Sequence, residues 1–454
     1  MMRTHTCGEL NDKHLGQEVT LCGWVHSRRD HGNIVFIDLR DKFGLTQIVF
    51  WGKKAIEKIA DIRSEFVLKI KGKVQPRPKG TENPKIPTGL IEVAVTEFEI
   101  LNTSQTPPFE ISGTIEATEE VRFTHRYLDL RRPGVIEKLE LRHKVIKAMR
   151  DFLDAEGFTE VETPLLTKST PEGARDFLVA SRLNPGKFYA LPQSPQLFKQ
   201  ILMVGGLEKY FQIAKCLRDE DLRADRQPEF TQLDIELSFV DEEDIYRLIE
   251  KLLHHLFKTV LKLDLPIPLE RITYQAAQEK YQSDKPDLRK DNERFKFVWV
   301  KDFPLFKYNA EEKRWDSEHH PFTAPGSEEF SEKEMGSIVA RAYDLVLNGV
   351  EIGSGSIRIH KRALQEKVFQ ILKIEKEEAE ERFGFLLRAL EHGAPPHAGI
   401  ALGIDRFIAL LNGDTSIREV IAFPKTQKGI CPLSGAPATV SAQQLKELHI
   451  NIKR

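Results

Sequence analysis

The sequence has 454 residues, enough for two or three domains and at least one large hydrophobic core. Its 67 Lys and Arg residues nearly balance 69 Asp and Glu residues, a formal charge of −2, so any surface that binds a polyanion must be local. Four scattered cysteines argue against a disulfide framework or a structural zinc site. No apolar run reaches the roughly 20 residues of a membrane helix, and the N-terminus lacks the features of a signal or transit peptide, so we expect a cytoplasmic protein without a membrane partner.

The N-terminal part of the chain is predicted to form a small β-barrel. Five β-type runs lie between Val19 and Leu101, separated by Gly, Asn, Pro and Lys. They are VTLCGWV, NIVFIDLR, LTQIVF, FVLKIKGKV and LIEVAVTEFEIL. Five such strands are typical of an OB-fold, which binds oligonucleotides on one face, although many small barrels bind nothing of the kind. The Pro-, Ser- and Thr-rich stretch NTSQTPPFE (102–110) then predicts a hinge.

The rest of the chain is predicted to be an α+β domain. VIEKLELRHKVIKAMRDFLDAEGF (135–158) has helical apolar spacing, and TEVETPLL then predicts a strand that ends at Pro164. A second long helix, EEDIYRLIEKLLHHLFKTVLKL, and several β-rich stretches follow without the alternation of βαβ units, which favours an antiparallel sheet. The predicted boundaries are 1–104 for the barrel, 105–125 for the hinge and 126–454 for the second domain.

Two segments of the second domain suit phosphate chemistry. CLRDEDLRADRQPEFTQLDIELSF (216–239) places arginines among acids between two strand-like runs, although charges at a hairpin tip are usually just solvated. GIALGIDR (399–406) predicts a Gly-rich turn that runs into an apolar helix beside Arg406. Glycine permits close backbone approach and guanidinium binds phosphate oxygens in pairs, but a glycine that serves only helix packing explains the same pattern.

Together with FTEVETPLL, these segments resemble the three signature motifs of class II aminoacyl-tRNA synthetases, in the family's order. FTEVETPLL is similar to motif 1, FQIAKCLRDED with QPEFTQLDIE to motif 2, and GIALGIDR to motif 3. STPEGARDF, QSPQLFKQ, HHPFTAP and EIGSGSIRIH extend the likeness over nearly the whole chain and resemble the bacterial aspartyl-tRNA synthetase family. The resemblance implies a multidomain α+β protein, with an OB-fold that grips the anticodon and a catalytic domain on an antiparallel sheet. It also implies a homodimer that activates L-aspartate with ATP and esterifies it to the 3′ end of a tRNA.

The resemblance assigns roles on the nucleotide side. Arg218 matches the motif 2 arginine that contacts the α-phosphate and the aspartate carboxylate, and Arg406 the motif 3 arginine on the γ-phosphate; these two are the predicted catalytic residues. Such preorganised cations are worth about 2.7 to 4 kcal/mol each. Asp344 and Glu351 match the acids that hold Mg²⁺, which suits two carboxylates plus phosphate oxygens. The other predicted ATP contacts are Asp219, Glu220, Gln227, the adenine-stacking Phe230, Gly403, Ile404 and Asp405.

The amino-acid pocket follows from the same likeness. Lys199 and Arg358 match the cations that pair with the aspartate side chain. An uncharged amide would leave this pocket unsatisfied, at roughly 1 to 3 kcal/mol per group. The other predicted contacts are Glu172 and Ser194 near the α-amine, Gln196, Arg218, Gln232 and Asp234 in the pocket, and His319 closing it. No residue is predicted as a general base, because the carboxylate is already a nucleophile and an adenylate phosphate oxygen can accept the ribose proton.

The barrel residues bear on which tRNA is charged. Arg29, Phe36, Gln47 and Glu92 match family positions that read the anticodon by hydrogen bonding and stacking. His31 and Gly80 resemble the relaxed members of the family, which accept tRNA(Asn) as well as tRNA(Asp). Relaxed charging would require an amidotransferase partner to convert Asp-tRNA(Asn).

Three alternatives remain: a strict tRNA(Asp) enzyme, a non-catalytic RNA-binding paralogue, and an enzyme that makes asparagine from aspartate and ammonia. Intact motifs oppose the second, and the barrel opposes the third. The chain departs from bacterial relatives at SDKPDLR (283–289), which is followed almost at once by KDNERFKFVWVKDFPLF. The usual insertion domain, expected near 290–297, is therefore predicted to be absent.

Overall fold

The computed structural model describes residues 1–111, 117–170, 174–330 and 335–453, which form two compact units. The first unit spans Met1–Ile136 and the second spans Glu137–Arg454. Each unit has its own cluster of buried apolar side chains. In the described part of the chain, no helix combines the length and the apolar character that a membrane crossing requires.

The first unit contains a closed five-stranded barrel. Its strands are β1 Glu18–His31, β2 Ile34–Asp41, β3 Gly44–Trp51, β4 Val67–Pro76 and β5 Ile91–Asn102, and its helices are α1 Lys53–Lys58, α2 Glu119–Thr124 and α3 Arg126–Asp129. The strand order is β1–β2–β3–β5–β4, and β4 closes on β1. Val19, Leu21 and Val25 of β1 are buried while the residues between them are more exposed, the alternation expected of a barrel strand. The predicted five-stranded barrel is confirmed.

The second unit is built on an eight-stranded sheet. Its strands, with two small hairpins, are β6 Thr159–Glu160, β7 Leu178–Ala180, β8 Phe188–Ala190, β9 Lys209–Leu217, β10 Glu229–Ser238, β11 Glu270–Thr273, β12 Phe297–Lys301, β13 Phe306–Asn309, β14 Arg314–Ser317, β15 Ala342–Leu347, β16 Val350–Ile357 and β17 His397–Gly403. The order across the large sheet is β11–β12–β15–β16–β17–β10–β9–β6. Its central pairs are antiparallel, as predicted, whereas β11 and β6 join the two edges in parallel.

The helices of this unit bury apolar residues, except the last helix, which has none that is buried. They are α4 Val135–Ala155, which begins at the unit boundary, α5 Gln196–Val204, α6 Glu242–Leu256, α7 Tyr274–Tyr281, α8 Arg362–Ile371, α9 Lys376–Leu390, α10 Ile404–Asn412 and α11 Ala442–Glu447. Helix α6 begins with a capping box between Asp241 and Asp244, which satisfies two otherwise unpaired backbone N–H groups. Its buried residues include Ile245 and Ile249, one helical turn apart. Both long helices predicted from apolar spacing, α4 and α6, are present.

Two sequence predictions in this unit need correction. The TEVETPLL strand is only Thr159–Glu160; its last backbone hydrogen bond to β9 is from the Val161 N–H to the Phe211 oxygen, so the strand stops short of Pro164. GIALGIDR is not a Gly-rich turn but the end of β17, which continues directly into α10. Its first glycine serves strand packing, since a Cβ at Gly399 would overlap the Glu236 carboxylate on the neighbouring β10.

The connection 282–296 joins α7 directly to β12. All of these residues are described, and no domain stands between the two elements. That the family's insertion domain is missing stays a prediction.

Candidate active site

A polar cleft of about 810 Å³ opens in the second unit, over β10, β15, β16 and β17. Most of the predicted catalytic-domain residues line it. They are Ser194, Gln196, Lys199, Arg218, Glu220, Gln227, Phe230, Gln232, Asp234, His319, Asp344, Glu351, Arg358, Gly403, Asp405 and Arg406. Glu172 lies outside the described residues, so its predicted place near the α-amine stays a prediction.

Strand β10 supplies one wall of the cleft through its alternation. Phe230, Gln232 and Asp234 occupy every second position and line the cleft. The intervening Leu233 and Ile235 are fully buried in the apolar core. A one-residue shift in the register of this strand would therefore exchange the site for the core.

A buried ion cluster forms the amino-acid side of the cleft. The Lys199 ammonium lies 3.0 Å from an Asp234 carboxylate oxygen and 3.2 Å from one of Glu236. The Arg358 guanidinium binds both oxygens of Glu236, at 2.8 and 3.1 Å. All four side chains are at most 2% exposed. The two predicted cations are thus brought together by one shared carboxylate, which holds both in place.

The charges of this cluster respond to burial and to one another. Burial would raise the pKa of Glu236, but the Arg358 and Lys199 cations outweigh it and hold the pKa at about 2. Burial raises the pKa of Asp234, although Lys199 opposes the rise. His320 lies 2.7 Å from the Arg358 guanidinium, and burial with that positive charge lowers its pKa well below the usual value. His320 is therefore a neutral acceptor that orients Arg358.

Several polar atoms in the cleft are buried without a hydrogen-bond partner among the described protein groups. They are Gln196 Nε2, Arg218 Nε, Asp234 Oδ2 and His319 Nδ1. An unsatisfied buried group costs about 1 to 3 kcal/mol, so such a concentration is expected where a ligand completes the pairing. The donors of Gln196 and Arg218 suit anionic oxygens, and the acceptor of Asp234 suits an ammonium group.

The other side of the cleft has the components of a nucleotide site. The Arg218 guanidinium stands over the Phe230 ring, 5.1 Å from its centroid. Arg406 donates to the backbone oxygen of Glu351 at 2.6 Å and lies 3.3 Å from an Asp225 carboxylate oxygen. An aromatic face beside two guanidinium groups can accept a base and its phosphates.

Asp344 and Glu351 are the candidate metal ligands. Among the described residues, no group of three or more His, Cys, Asp or Glu side chains could hold a metal ion. The donor set of two carboxylates nevertheless fits Mg²⁺, which takes few protein ligands and fills its remaining positions with phosphate oxygens and water. Asp344 also lies 3.2 Å from Nε2 of His319. Burial would lower the pKa of His319, but this carboxylate outweighs it and raises the pKa.

Some predicted ATP contacts have their side chains engaged elsewhere. The Gln227 amide donates to and accepts from the backbone of Lys425, at 3.0 and 2.8 Å. Asp405 accepts from the Thr231 N–H at 2.7 Å and pairs with Arg142, so its carboxylate joins α10 to β10 and α4. Two of the predicted contacts, Asp219 and Ile404, do not line the cleft; Asp219 bridges to Arg175, and Ile404 is fully buried in the core.

Three further residues in or beside the cleft were not predicted from the sequence. Glu236 lies two positions after Asp234, and this spacing could have indicated it, because alternate strand residues share a face. His320 is adjacent to His319 in HHPFTAP. Lys285 of SDKPDLR lines the cleft and lies 2.9 Å from Glu351, a contact without a local sequence signal.

A hydrogen-bonded row on the barrel joins three of the four predicted anticodon residues, Arg29, Gln47 and Glu92, of which the last two are buried. Arg29 donates to Gln47 at 3.0 Å, and Gln47 donates to Glu92 at 2.7 Å. His31 packs edge-on against Phe36, with ring centroids 5.9 Å apart. Gly80 lies in the connection between β4 and β5 with a φ of +89°, a conformation that favours glycine. Backbone geometry is sufficient to explain a glycine at this position, and its role in tRNA choice stays a prediction.

Comparison with known proteins identifies both domains. Residues 118–427 match the family model of class II tRNA synthetases (D, K and N), and residues 19–101 match that of the OB-fold nucleic acid binding domain. The chain belongs to the class II tRNA synthetases of the D, K and N group. This synthetase is thus an aminoacyl-tRNA ligase, of a class that uses ATP with a divalent metal, an amino acid and a tRNA. The predicted OB-fold and class II catalytic domain are confirmed.

Curated relatives resemble this synthetase over its full length. The aspartate–tRNA(Asp/Asn) ligase of Persephonella marina is 46% identical, over 99% of this chain and 97% of its own. The protein of the same name from Syntrophomonas wolfei is 44% identical over 100% of both chains. The first alignment spans 589 positions, more than the 454 residues of this synthetase, so that relative carries sequence without a counterpart here.

Solved structures share the fold. The asparaginyl-tRNA synthetase of Pyrococcus horikoshii, complexed with asparaginyl-adenylate, superimposes with a TM-score of 0.76 at 24% identity, covering 94% of this chain and 99% of its own. A putative aspartyl-tRNA synthetase of Leishmania major has a TM-score of 0.74 at 18% identity, covering 91% and 92%. At these identities the likeness concerns the fold alone.

Proposed function

We propose that this synthetase activates L-aspartate with ATP to aspartyl-adenylate and transfers it to tRNA(Asp) and tRNA(Asn). The observation that carries the choice of amino acid is the buried cation pair of Lys199 and Arg358 in the cleft. A side-chain carboxylate meets both cations, whereas the amide of asparagine would place an N–H donor against them. The relatives named aspartate–tRNA(Asp/Asn) ligase support the same substrates.

The residues of the cleft orient the amino acid for attack. The unpaired Oδ2 of Asp234 accepts from the substrate ammonium, and Gln196 and Arg218 supply unpaired donors for its oxygens. Ser194 lies at the start of α5, where its hydroxyl accepts from the Gln196 N–H at 3.3 Å. With the side-chain carboxylate held by the buried cations, the α-carboxylate faces Arg218. Orientation of this kind is a large part of what an enzyme contributes to a reaction between two bound substrates.

The first chemical step needs charge stabilisation and no protein base. An α-carboxylate oxygen attacks the α-phosphorus, a P–O bond forms, and diphosphate leaves. Arg218 stabilises the charge on the α-phosphate, Phe230 stacks on adenine, and Arg406 holds the far end of the triphosphate. In the second step the terminal ribose hydroxyl attacks the activated carbonyl, AMP leaves, and a phosphate oxygen takes the hydroxyl proton.

Asp344 and Glu351 hold Mg²⁺ in this proposal. The ion supplies positive charge to the phosphate oxygens of ATP when it is bound. The support is the chemistry of the two carboxylates, which lie in the same cleft as Arg218 and Arg406.

The barrel selects the tRNA. Arg29 is exposed and offers donors to unstacked anticodon bases, Phe36 offers a stacking face, and the buried Gln47 and Glu92 hold Arg29 in place. His31, packed on Phe36, stands beside a stacked base and tolerates either third anticodon base. The relaxed enzyme makes Asp-tRNA(Asn), which a tRNA-dependent amidotransferase then converts. The domain boundaries 1–104, 105–125 and 126–454 and the cytoplasmic location are part of the same proposal.

A homodimer completes the proposal. Leu165 and Leu166 follow Pro164 and are each about half exposed, and Leu178 and Phe188 of the β7–β8 hairpin are equally exposed. Thr167 is hydrogen-bonded to Ala190 of the same hairpin, so these apolar side chains are carried by connected segments. An apolar surface of this kind is characteristic of an interface between subunits.

Three measurements test the proposal. Aspartate-dependent exchange of diphosphate into ATP should exceed exchange with asparagine or lysine, and equal exchange with asparagine would refute the role given to Lys199 and Arg358. Charging of purified tRNA(Asp) and tRNA(Asn) transcripts should proceed at rates within about a hundredfold of each other. A slower rate on tRNA(Asn) would show a strict enzyme. Light scattering that finds a stable monomer at micromolar concentration would exclude the dimer.

A further inference from the structure

Lys285 is a cation of the cleft that the reaction described above does not use. Its ammonium lies 2.9 Å from a carboxylate oxygen of Glu351, and both side chains line the cleft with Arg218 and Arg406. The partner of this ammonium is therefore a candidate metal ligand.

The backbone around Lys285 is held against the hairpin that carries Glu351. Asn348, in the turn between β15 and β16, accepts from the Lys296 N–H at 2.8 Å and donates to the Arg294 oxygen at 3.0 Å. Gly349 approaches Asp287 so closely that a Cβ there would lie 3.2 Å from the Asp287 Cβ. The connection 282–296 therefore positions Lys285 over the cleft through contacts at Asp287 and at its C-terminal end.

The Lys285 ammonium and a bound Mg²⁺ would compete for the same carboxylate of Glu351. A carboxylate that ligates a divalent cation loses most of its attraction for a neighbouring ammonium. Oxygens that share one Mg²⁺ lie roughly 3 to 4 Å apart, because each Mg–O bond is about 2.1 Å. The phosphate oxygens on that ion are then within reach of the flexible lysine stem, and an ammonium binds phosphate well as a point charge.

From these contacts we infer that Lys285 is a further phosphate-binding residue, whose ammonium passes from Glu351 to the β- and γ-phosphates when ATP binds with its divalent ion. The inference rests on the proposed function of the cleft as an ATP site. It gives the connection 282–296 a direct role in binding the nucleotide. Lys285 neutralises Glu351 in the free enzyme and the triphosphate in the complex.

Calorimetric titration of the full-length protein with ATP and with AMP tests this inference. Lys285→Met should weaken ATP binding in Mg²⁺ roughly 10- to 100-fold, the loss expected for one charge-assisted contact, and should leave AMP binding unchanged. In EDTA the difference between Lys285→Met and the wild type should be much smaller. Lys285→Arg should stay within a few-fold of the wild type. Lys290→Met, at an exposed position of the same connection, is the matched control.

Each contrary result has a distinct meaning. Unchanged or tighter ATP binding by Lys285→Met in Mg²⁺ would overturn the inference and leave Lys285 as a counter-ion of Glu351 only. Equal losses of AMP and ATP affinity in Lys285→Met would overturn the inference as well, because AMP has no β- or γ-phosphate to contact. In that case we expect Lys285→Arg to lose as much affinity as Lys285→Met. Failure of the wild-type protein to bind ATP would instead refute the proposed function of the cleft.

Discussion

Replacing Lys199 with Met should separate the stability of the buried ion cluster from its role in binding aspartate. In the described residues, the ion pair of Asp234 is with Lys199, whereas Glu236 keeps Arg358. The variant therefore leaves Asp234 as a buried carboxylate without its cation. Removing one partner of a buried pair typically costs about 3 to 5 kcal/mol.

The cost should depend on pH through Asp234. Burial already raises its pKa in the folded protein, and losing Lys199 raises it further. The folded variant then binds a proton that the unfolded chain releases, so its stability falls as pH rises above the ordinary pKa near 4. At 1.36 kcal/mol per pH unit, keeping Asp234 protonated at pH 7 costs at most about 4 kcal/mol. At pH 5 the same calculation leaves about 1.5 kcal/mol.

Thermal unfolding at pH 5 and pH 8, with diphosphate exchange at pH 7, measures both effects. Lys199→Met should lower the unfolding midpoint more at pH 8 than at pH 5. Adding Asp234→Asn should recover most of the midpoint, because the uncompensated charge is gone, while the aspartate KM stays far above that of the wild type. Lys251→Met, exposed on α6, should change neither quantity. A pH-independent loss of stability, or a double variant as unstable as the single one, would refute this electrostatic explanation.

Four further predictions concern the two sites. Phe230→Ala should weaken ATP binding roughly 5- to 100-fold through lost stacking, with little change in the aspartate KM. Phe230→Tyr should bind ATP nearly as the wild type does. An ATP titration of Phe230→Ala that matches the wild type would show that Phe230 does not stack on adenine. Glu236 has a pKa of about 2, below its value in the unfolded chain, so the stability it contributes is present above about pH 4.5 and is lost as pH falls through 2. Glu236→Gln should therefore make the free energy of unfolding less dependent on pH over this range. An acid unfolding profile identical to that of the wild type would contradict this pKa. Gly399→Ala should destabilise the second unit by several kcal/mol, as measured by thermal unfolding, because the added Cβ would overlap the β10 backbone. Gly403→Ala is the matched control, since the nearest atom to a Cβ there is 3.8 Å away. Equal stability of the two variants would exclude this explanation. Gln47→Ala should reduce tRNA charging by roughly one or two decades and leave aspartate-dependent diphosphate exchange intact; a parallel loss of exchange would mean that the effect is not confined to the barrel.

Local sequence pattern was sufficient for much of the fold. Apolar spacing predicted α4 and α6, and short β-branched runs predicted the five barrel strands, because these features depend on neighbouring residues. It was less reliable where a segment depends on its partners. GIALGIDR has the composition of a turn, yet it forms part of β17 because Gly399 lets that strand pack closely on β10.

The same division holds for the candidate active site. The segments that carry its chemistry could be identified from their residues alone, since Arg218, Lys199 and Arg406 lie in recognisable local motifs. How their charges are balanced depends on contacts between distant parts of the fold. Glu236 joins Arg358 across 122 positions of the chain, and Lys285 meets Glu351 only because the connection 282–296 is anchored on the β15–β16 turn. Pairing between distant residues follows from strand order and burial, which no local propensity specifies, so these counter-ions became visible only in the folded molecule.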